Sequence, residues 1–83
     1  MNFFDSIKKK INEKINPENI ILIDNSHLHK KHKYFDVNKF HLKLIIKSKK
    51  LKNMQKIQAH KEIYIILKDE MKNRIHALEI EIE

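Results

Sequence analysis

The chain contains no cysteine, no glycine and no tryptophan, and its single proline is Pro17. Without cysteine it can form no disulfide bond and offers no thiolate to a metal or a substrate. Without glycine it lacks the phosphate-binding loops and the dinucleotide fingerprint that depend on a glycine backbone. No apolar run approaches the roughly 18 residues of a membrane span, and the first residues do not resemble a signal peptide. We therefore expect a cytoplasmic protein that has no membrane partner.

The chain also lacks a recognisable set of catalytic groups. Its aliphatic hydroxyls are limited to Ser6, Ser26 and Ser48. None of them stands at a spacing that suggests a neighbouring base and an orienting group. The carboxylates form no recognisable acid–base pair either. We therefore predict that the protein is not an enzyme.

Positive charge is concentrated in the middle of the chain. Residues 27–61 hold eleven lysines and a single acid, Asp36, whereas residues 62–83 hold three basic and six acidic residues. Such a block attracts nucleic acid, anionic metabolites or acidic proteins. Charge alone does not distinguish these partners from an ordinary solvated lysine-rich surface.

Hydrophobic periodicity divides the chain into two helices and three strands. Asn2 is placed to cap the first helix, and Pro17 requires that helix to end by Asn16. Residues 25–38 show no periodicity and form a long polar loop, which in a compact domain suggests a functional segment. The predicted elements are a helix over residues 4–15, strands over 20–24 and 41–47, a helix over 51–71 and a strand over 75–82.

The order α-β-β-α-β predicts an α+β fold. A helical crossover allows the second and third strands to be parallel neighbours, and the first two strands can pair antiparallel across the long loop. The result is a three-stranded mixed sheet with two helices packed on one face. We expect the whole chain, residues 1–83, to form one domain.

The second predicted helix carries an ionisable ring in its apolar stripe. Residues at steps of three and four predict a stripe that consists of Ile57, His60, Tyr64, Leu67 and Met71. Ala59, Ile63 and Ile66 widen this stripe into a core-facing surface. From the residues alone, His60 is interpreted as a hydrogen-bonded histidine at the edge of the core. His41 and His76 begin strands and are interpreted as structural.

Four segments of the chain, in order and at matching spacing, resemble motifs of the BolA family. The resemblance extends from about Ile20 to Ile82. The segments are Asp24-Asn25-Ser26 with His29, which resembles a strand end and a His- or Cys-bearing loop; His41-Leu42-Lys43, which resembles the second strand; His60-Lys61-Glu62-Ile63-Tyr64, which resembles the "R-H-R-x-V-Y" helix start; and His76-Ala77-Leu78, which resembles the "H-A-L" third strand.

The resemblance implies a BolA-like domain of type II KH-like fold that pairs with a monothiol glutaredoxin. It further implies a shared [2Fe-2S] cluster, for which the partner and its glutathione supply thiolates and this chain supplies histidines. The matching positions are His29 and His60, with His27 or His32 as alternates in the same loop. Because the chain has no cysteine, we expect no cluster to be held by the isolated chain.

A nucleic-acid-binding regulator remains an alternative from a different functional class. It would use the basic block on a KH-like fold to bind DNA or RNA, although the chain lacks the glycine-rich loop of ordinary KH domains. The sequence leaves open whether the chain forms a homodimer. The lysines assigned to this function are Lys30, Lys31, Lys33, Lys47, Lys49, Lys50, Lys52, Lys56 and Lys61.

Overall fold

A computed structural model describes residues 2–26 and 39–83 of the chain. The predicted loop ligands His27, His29 and His32, and the lysines at 30, 31 and 33, lie outside these described residues. The described elements, in chain order, are α1 (Phe3–Lys14), β1 (Asn19–Asp24), β2 (Phe40–Lys47), α2 (Lys49–Lys52), α3 (Lys56–Ile66), α4 (Lys68–Asn73) and β3 (Ile75–Ile82).

The first helix begins and ends where the sequence predicts. The Asn2 side chain accepts a hydrogen bond from the Asp5 backbone N–H at 2.8 Å, which caps α1. After the helix, Asn16 adopts φ = 53°, a left-handed conformation that asparagine tolerates better than most residues. Pro17 then prevents the helix from continuing. Between these ends, α1 buries Ile7 and Ile11 in the core.

The sheet has the predicted topology, with strand order β1-β2-β3. β1 pairs antiparallel with β2, so that Leu22 lies opposite Leu44. β2 pairs parallel with β3, so that Leu44 also lies opposite Ile80. Alternate residues of β2, from Leu42 to Ile46, are buried against the helices. The predicted α+β fold with a three-stranded mixed sheet is confirmed.

The single helix predicted over residues 51–71 is wrong, because the chain forms three shorter helices there. Ser48 caps α2 by accepting a hydrogen bond from the Leu51 N–H at 3.2 Å. One turn later, the Met54 N–H donates to the Leu51 carbonyl at 3.1 Å, and the intervening Asn53 is a weak helix former. A second interruption occurs at Leu67, whose φ of −100° and ψ of 21° separate α3 from α4.

The predicted core stripe of this region is also partly wrong. Ala59, Ile63 and Leu67 are buried as predicted, whereas Ile57 is 83% exposed and Tyr64 is 39% exposed. α3 carries apolar residues on more than one side, so that two overlapping stripes satisfy the helical period. The stripe that includes Ala59, Ile63 and Leu67 faces the core.

Candidate functional site

The ends of the described chain on either side of residues 27–38 lie at one end of the sheet. The Asn25 N–H donates to the His41 carbonyl at 2.7 Å, and the His41 N–H donates to Ser26 Oγ at 3.1 Å. Across the next strand, the Phe40 N–H donates to the Arg74 carbonyl at 2.8 Å. The histidine-bearing segment is therefore attached where β2 and β3 begin.

Two histidines meet at this same end of the sheet. The ring centroids of His41 and His76 are 4.8 Å apart. The parallel pairing brings the rings together, because both residues stand at the starts of neighbouring strands. Phe40 pairs with Ile75 and His41 pairs with Ala77, so that His76 is an extra residue at a register shift and interrupts the regular alternation of β3. His41 is buried, whereas His76 is exposed.

The predicted placement of His76 is thereby corrected. The alternation of residues 75–82 places His76 on the same face as Leu78, Ile80 and Ile82. In the structure Leu78 is buried and Ile80 and Ile82 pack against the core, but His76 is exposed beyond the register shift. The extra residue at the shift changes the face that the His76 side chain can reach.

An aromatic cluster fixes the backbone beside the two histidines. The Phe3 and Phe40 rings stack with centroids 5.2 Å apart, and the Phe4 ring meets Phe40 edge-on at 5.3 Å. The Arg74 guanidinium lies over the Phe3 ring, with Cζ 4.5 Å from the centroid, in a cation–π contact. α1, β2 and the start of β3 are therefore joined within two residues of His76.

His60 lies in a different part of the molecule. It is half-buried on α3, in the wall of a groove of about 450 Å³ that is also lined by residues 79–82 of β3. One turn further along α3, the Tyr64 hydroxyl donates to the Leu78 carbonyl at 3.1 Å, which places His60 beside Ile80. Ile80 is three residues beyond Ala77, about 10 Å along the strand. His60 is therefore nearer the far end of β3 than the attachment of the histidine-bearing segment.

The described residues do not form a complete metal site. Within residues 2–26 and 39–83, no group of three or more His, Cys, Asp or Glu side chains could hold a metal ion. His76 nevertheless offers an exposed imidazole, which is a suitable donor for zinc or iron. The chemistry of the donors thus fits a shared site, in which the remaining ligands come from other groups.

The described lysines that were assigned to nucleic-acid binding are all exposed. Lys47 ends β2, and three more lie on the short helix α2 that follows it. The other two lie on α3. These lysines are separate from His76, which lies at the start of β3, whereas His60 lies among Lys56 and Lys61. The set comprises Lys47, Lys49, Lys50, Lys52, Lys56 and Lys61.

His76 was predicted to be structural, and the geometry places it at the end of the sheet where the described residues on either side of residues 27–38 lie. The information was present in the sequence. His41 and His76 each begin a predicted strand, and the crossover helix predicts that these strands are parallel neighbours. Parallel neighbours with matching starts bring their first side chains to the same edge of the sheet.

The helices in the described part of the chain are all too short or too polar to cross a membrane.

Comparison with known proteins gives a consistent result. The family model described as "BolA-like protein" matches residues 11–83. The DNA-binding transcriptional regulator BolA of Haemophilus influenzae is 35% identical over 72 residues, covering 87% of this chain and 67% of the relative. The UV-induced protein uvi31 of Schizosaccharomyces pombe is 32% identical over 80 residues, covering 92% of this chain and 78% of the relative.

Solved structures show the same fold. The BolA domain of SufE1 from Arabidopsis thaliana superposes with a TM-score of 0.83 at 27% identity, covering 100% of this chain and 93% of that one. BolA1 from the same plant superposes with a TM-score of 0.82 at 23% identity, covering 100% of this chain and 92% of that one. The order of strands and helices, the four motifs and these matches agree, and the chain belongs to the BolA family.

Proposed function

We propose that this protein is an interaction partner of a monothiol glutaredoxin in the cytoplasm and supplies histidine ligands to a shared [2Fe-2S] cluster. Its role would be in iron–sulfur cluster trafficking or iron homeostasis. The observation that supports this proposal is the exposed His76 at the base of a segment that contains three further histidines. A chain with histidines but no cysteine can contribute to a cluster only if thiolates come from elsewhere.

The geometry favours His76 over His60 as the ligand from the folded part of the chain. His76 lies at the end of the sheet from which residues 27–38 depart, and His60 lies about 10 Å further along β3. We therefore propose the pair His29 and His76, with His27 or His32 as alternates to His29. Two imidazoles can take the place of two thiolates on one iron of such a cluster, and the cluster then serves as cargo or as a redox group.

A reconstitution experiment tests this function. The purified chain is mixed with a monothiol glutaredoxin, glutathione, iron and sulfide under anaerobic conditions. We expect a heteromeric complex whose visible circular dichroism differs from that of the glutaredoxin homodimer, because the ligand set has changed. Recovery of only the glutaredoxin homodimer and the free chain would contradict the proposal.

DNA binding is a second candidate function, and two observations favour it. The Haemophilus influenzae relative is named a DNA-binding transcriptional regulator. In this chain, α2 and the residue before its cap present four exposed lysines within six residues, followed by a turn and by α3. Such a surface can contact the phosphates of a nucleic acid. The four lysines are Lys47, Lys49, Lys50 and Lys52.

Replacing Lys49 and Lys50 by glutamine is expected to weaken DNA binding at 50 mM salt. Each lost phosphate contact should reduce the slope of log affinity against log salt by about 0.9. Fluorescence anisotropy with a duplex, measured at several salt concentrations, gives this slope. Lys68→Gln together with Lys72→Gln on α4 is the matched control, with equal loss of charge elsewhere. Equal slopes for the two double variants would contradict a role of α2.

A further inference from the structure

The outer edge of β3 faces the groove that contains His60. The Glu83 N–H donates to the Ile46 carbonyl at 2.9 Å, and the Glu83 carbonyl accepts from Ser48 N–H at 3.3 Å. Both backbone groups of Glu83 thus point toward β2. Because these groups alternate along a strand, those of Leu78, Ile80 and Ile82 point to the opposite edge. In the described chain, no strand pairs with β3 on that side.

Side chains cover the two ends of this edge but not its middle. The Tyr64 hydroxyl donates to the Leu78 carbonyl at 3.1 Å, and Lys52 Nζ lies 3.5 Å from the Ile82 carbonyl. Between them, the N–H and carbonyl of Ile80 and the N–H of Ile82 face the groove. An edge of this kind is a template for an additional strand.

The other wall of the groove consists of Leu51 and Lys52 of α2, Met54, and Lys56 and His60 of α3. Beside this wall, the exposed side of α3 forms a separate open depression that includes Ile57 and Tyr64, and both are exposed although the helical period predicted them to be buried. Lys56, His60 and Lys61 lie among them. An unpaired strand edge therefore lines a groove whose opposite wall continues, through Lys56 and His60, into the exposed side of α3. Strand addition requires an open edge of this kind.

We propose that an extended segment of a partner protein binds in this groove as a fourth strand beside β3. Charge complementarity specifies its chemistry. Residues of the added strand that point toward the helices meet Lys52, Lys56 and the apolar side chain of Met54, so acidic or aliphatic residues fit. Residues that point to the other face of the sheet meet Glu79 and Glu81, so basic residues fit. The favoured ligand alternates between lysine or arginine and acidic or aliphatic residues.

A second copy of this chain is a poor occupant of the same groove. Antiparallel pairing of two β3 strands centred on Ile80 would place Glu79 of each copy opposite Glu81 of the other. Like charges directly opposite each other destabilise a sheet. Lys43 lies 3.8 Å from Glu81 and offsets only part of this repulsion. The proposal therefore concerns a foreign strand, and it is independent of the glutaredoxin function.

An experiment with a defined peptide tests the proposal on the full chain. The probe is the capped peptide KDKIKDK, and the control is KKDIDKK, which has the same composition without the alternation. We expect the alternating peptide to bind at least about tenfold more tightly, measured by NMR titration at low salt. The largest amide shifts should occur at Ile80 and Ile82, and hydrogen exchange at these two amides should slow.

Backbone methylation and charge reversal make the test specific. N-methylation of the even-numbered peptide residues and N-methylation of the odd-numbered ones should lower the affinity to different extents, since the backbone N–H groups of only one set face the edge of β3. A variant with Glu79→Lys and Glu81→Lys should prefer EDEIEDE to KDKIKDK, which a loss of folding would not produce. The proposal is overturned if the two methylated peptides bind alike, if both peptides bind equally or not at all, or if an oligothymidine shifts the Ile80 and Ile82 amides more strongly than KDKIKDK.

Discussion

Replacing His76 by alanine is expected to lower the stability of the cluster-containing heteromer by more than tenfold, whereas His60→Ala should leave it within about twofold. The expected loss is large because a ligand is removed, and even residues that only support a ligand contribute 10- to 100-fold. His76 is exposed at the base of the segment that bears His29, and His60 lies about 10 Å away along β3.

The measurement is the loss of visible circular dichroism when the reconstituted heteromer is titrated with a chelator. His60→Ala is a matched control, because it removes the same ring from the same chain. Urea unfolding of both variants shows whether either substitution acts through folding alone. If His60→Ala destabilises the chromophore and His76→Ala does not, the assignment from the resemblance is right and the assignment from the geometry is wrong.

Replacing Ile63 by alanine is expected to lower the free energy of unfolding by about 2–5 kcal/mol. Ile63 is fully buried on α3, where it packs in the core between the helices and the sheet. Truncation removes its apolar contacts and leaves a cavity that the surrounding side chains fill only in part. In a domain of this size, such a loss is a large share of the total stability.

Ile57→Ala provides a matched control within the same helix. Ile57 is 83% exposed, so its replacement should change the free energy of unfolding by no more than about 0.5 kcal/mol. Urea denaturation followed by far-UV circular dichroism measures both variants, provided that their m-values agree. A larger loss for Ile57 than for Ile63 would contradict the observed core, in which Ile63 is buried and Ile57 is exposed.

Much of the fold follows from local rules that operate on neighbouring residues. Asn2 and Pro17 define the first helix, and the alternation from Leu42 to Ile46 defines the central strand. The crossover between the second and third strands then determines that they are parallel. These features could be predicted because each depends on a cap, a proline or a period that the sequence states directly.

The buried face of α3 could not be predicted in the same way. Ile57 and Ile63 are chemically identical and lie on the same short helix, so the helical period does not distinguish their stripes. The choice depends on how α3 packs against the rest of the core, which is a tertiary property. The exposed side of α3 adjoins the groove beside β3 through Lys56 and His60.

The position of His76 depends on a local irregularity. Strict alternation along β3 would place His76 on the same face as the buried Leu78. His76 is instead exposed, at the register shift beside His41. Sequence periodicity contains no signal for an extra residue of this kind. The resemblance to the family identified His76 as part of the H-A-L motif. Only the parallel pairing of β2 and β3 shows that its ring lies beside that of His41.

Histidine-selective NMR of the full chain, titrated with a cluster-loaded monothiol glutaredoxin and glutathione, tests the central claim most directly. Six ring signals are expected, one for each histidine of the sequence. The proposal predicts that His76 and one ring among His27, His29 and His32 are selectively broadened by the nearby iron, while His60 is little affected. Selective broadening of His60 with an unchanged His76, or no change in any ring, would contradict it.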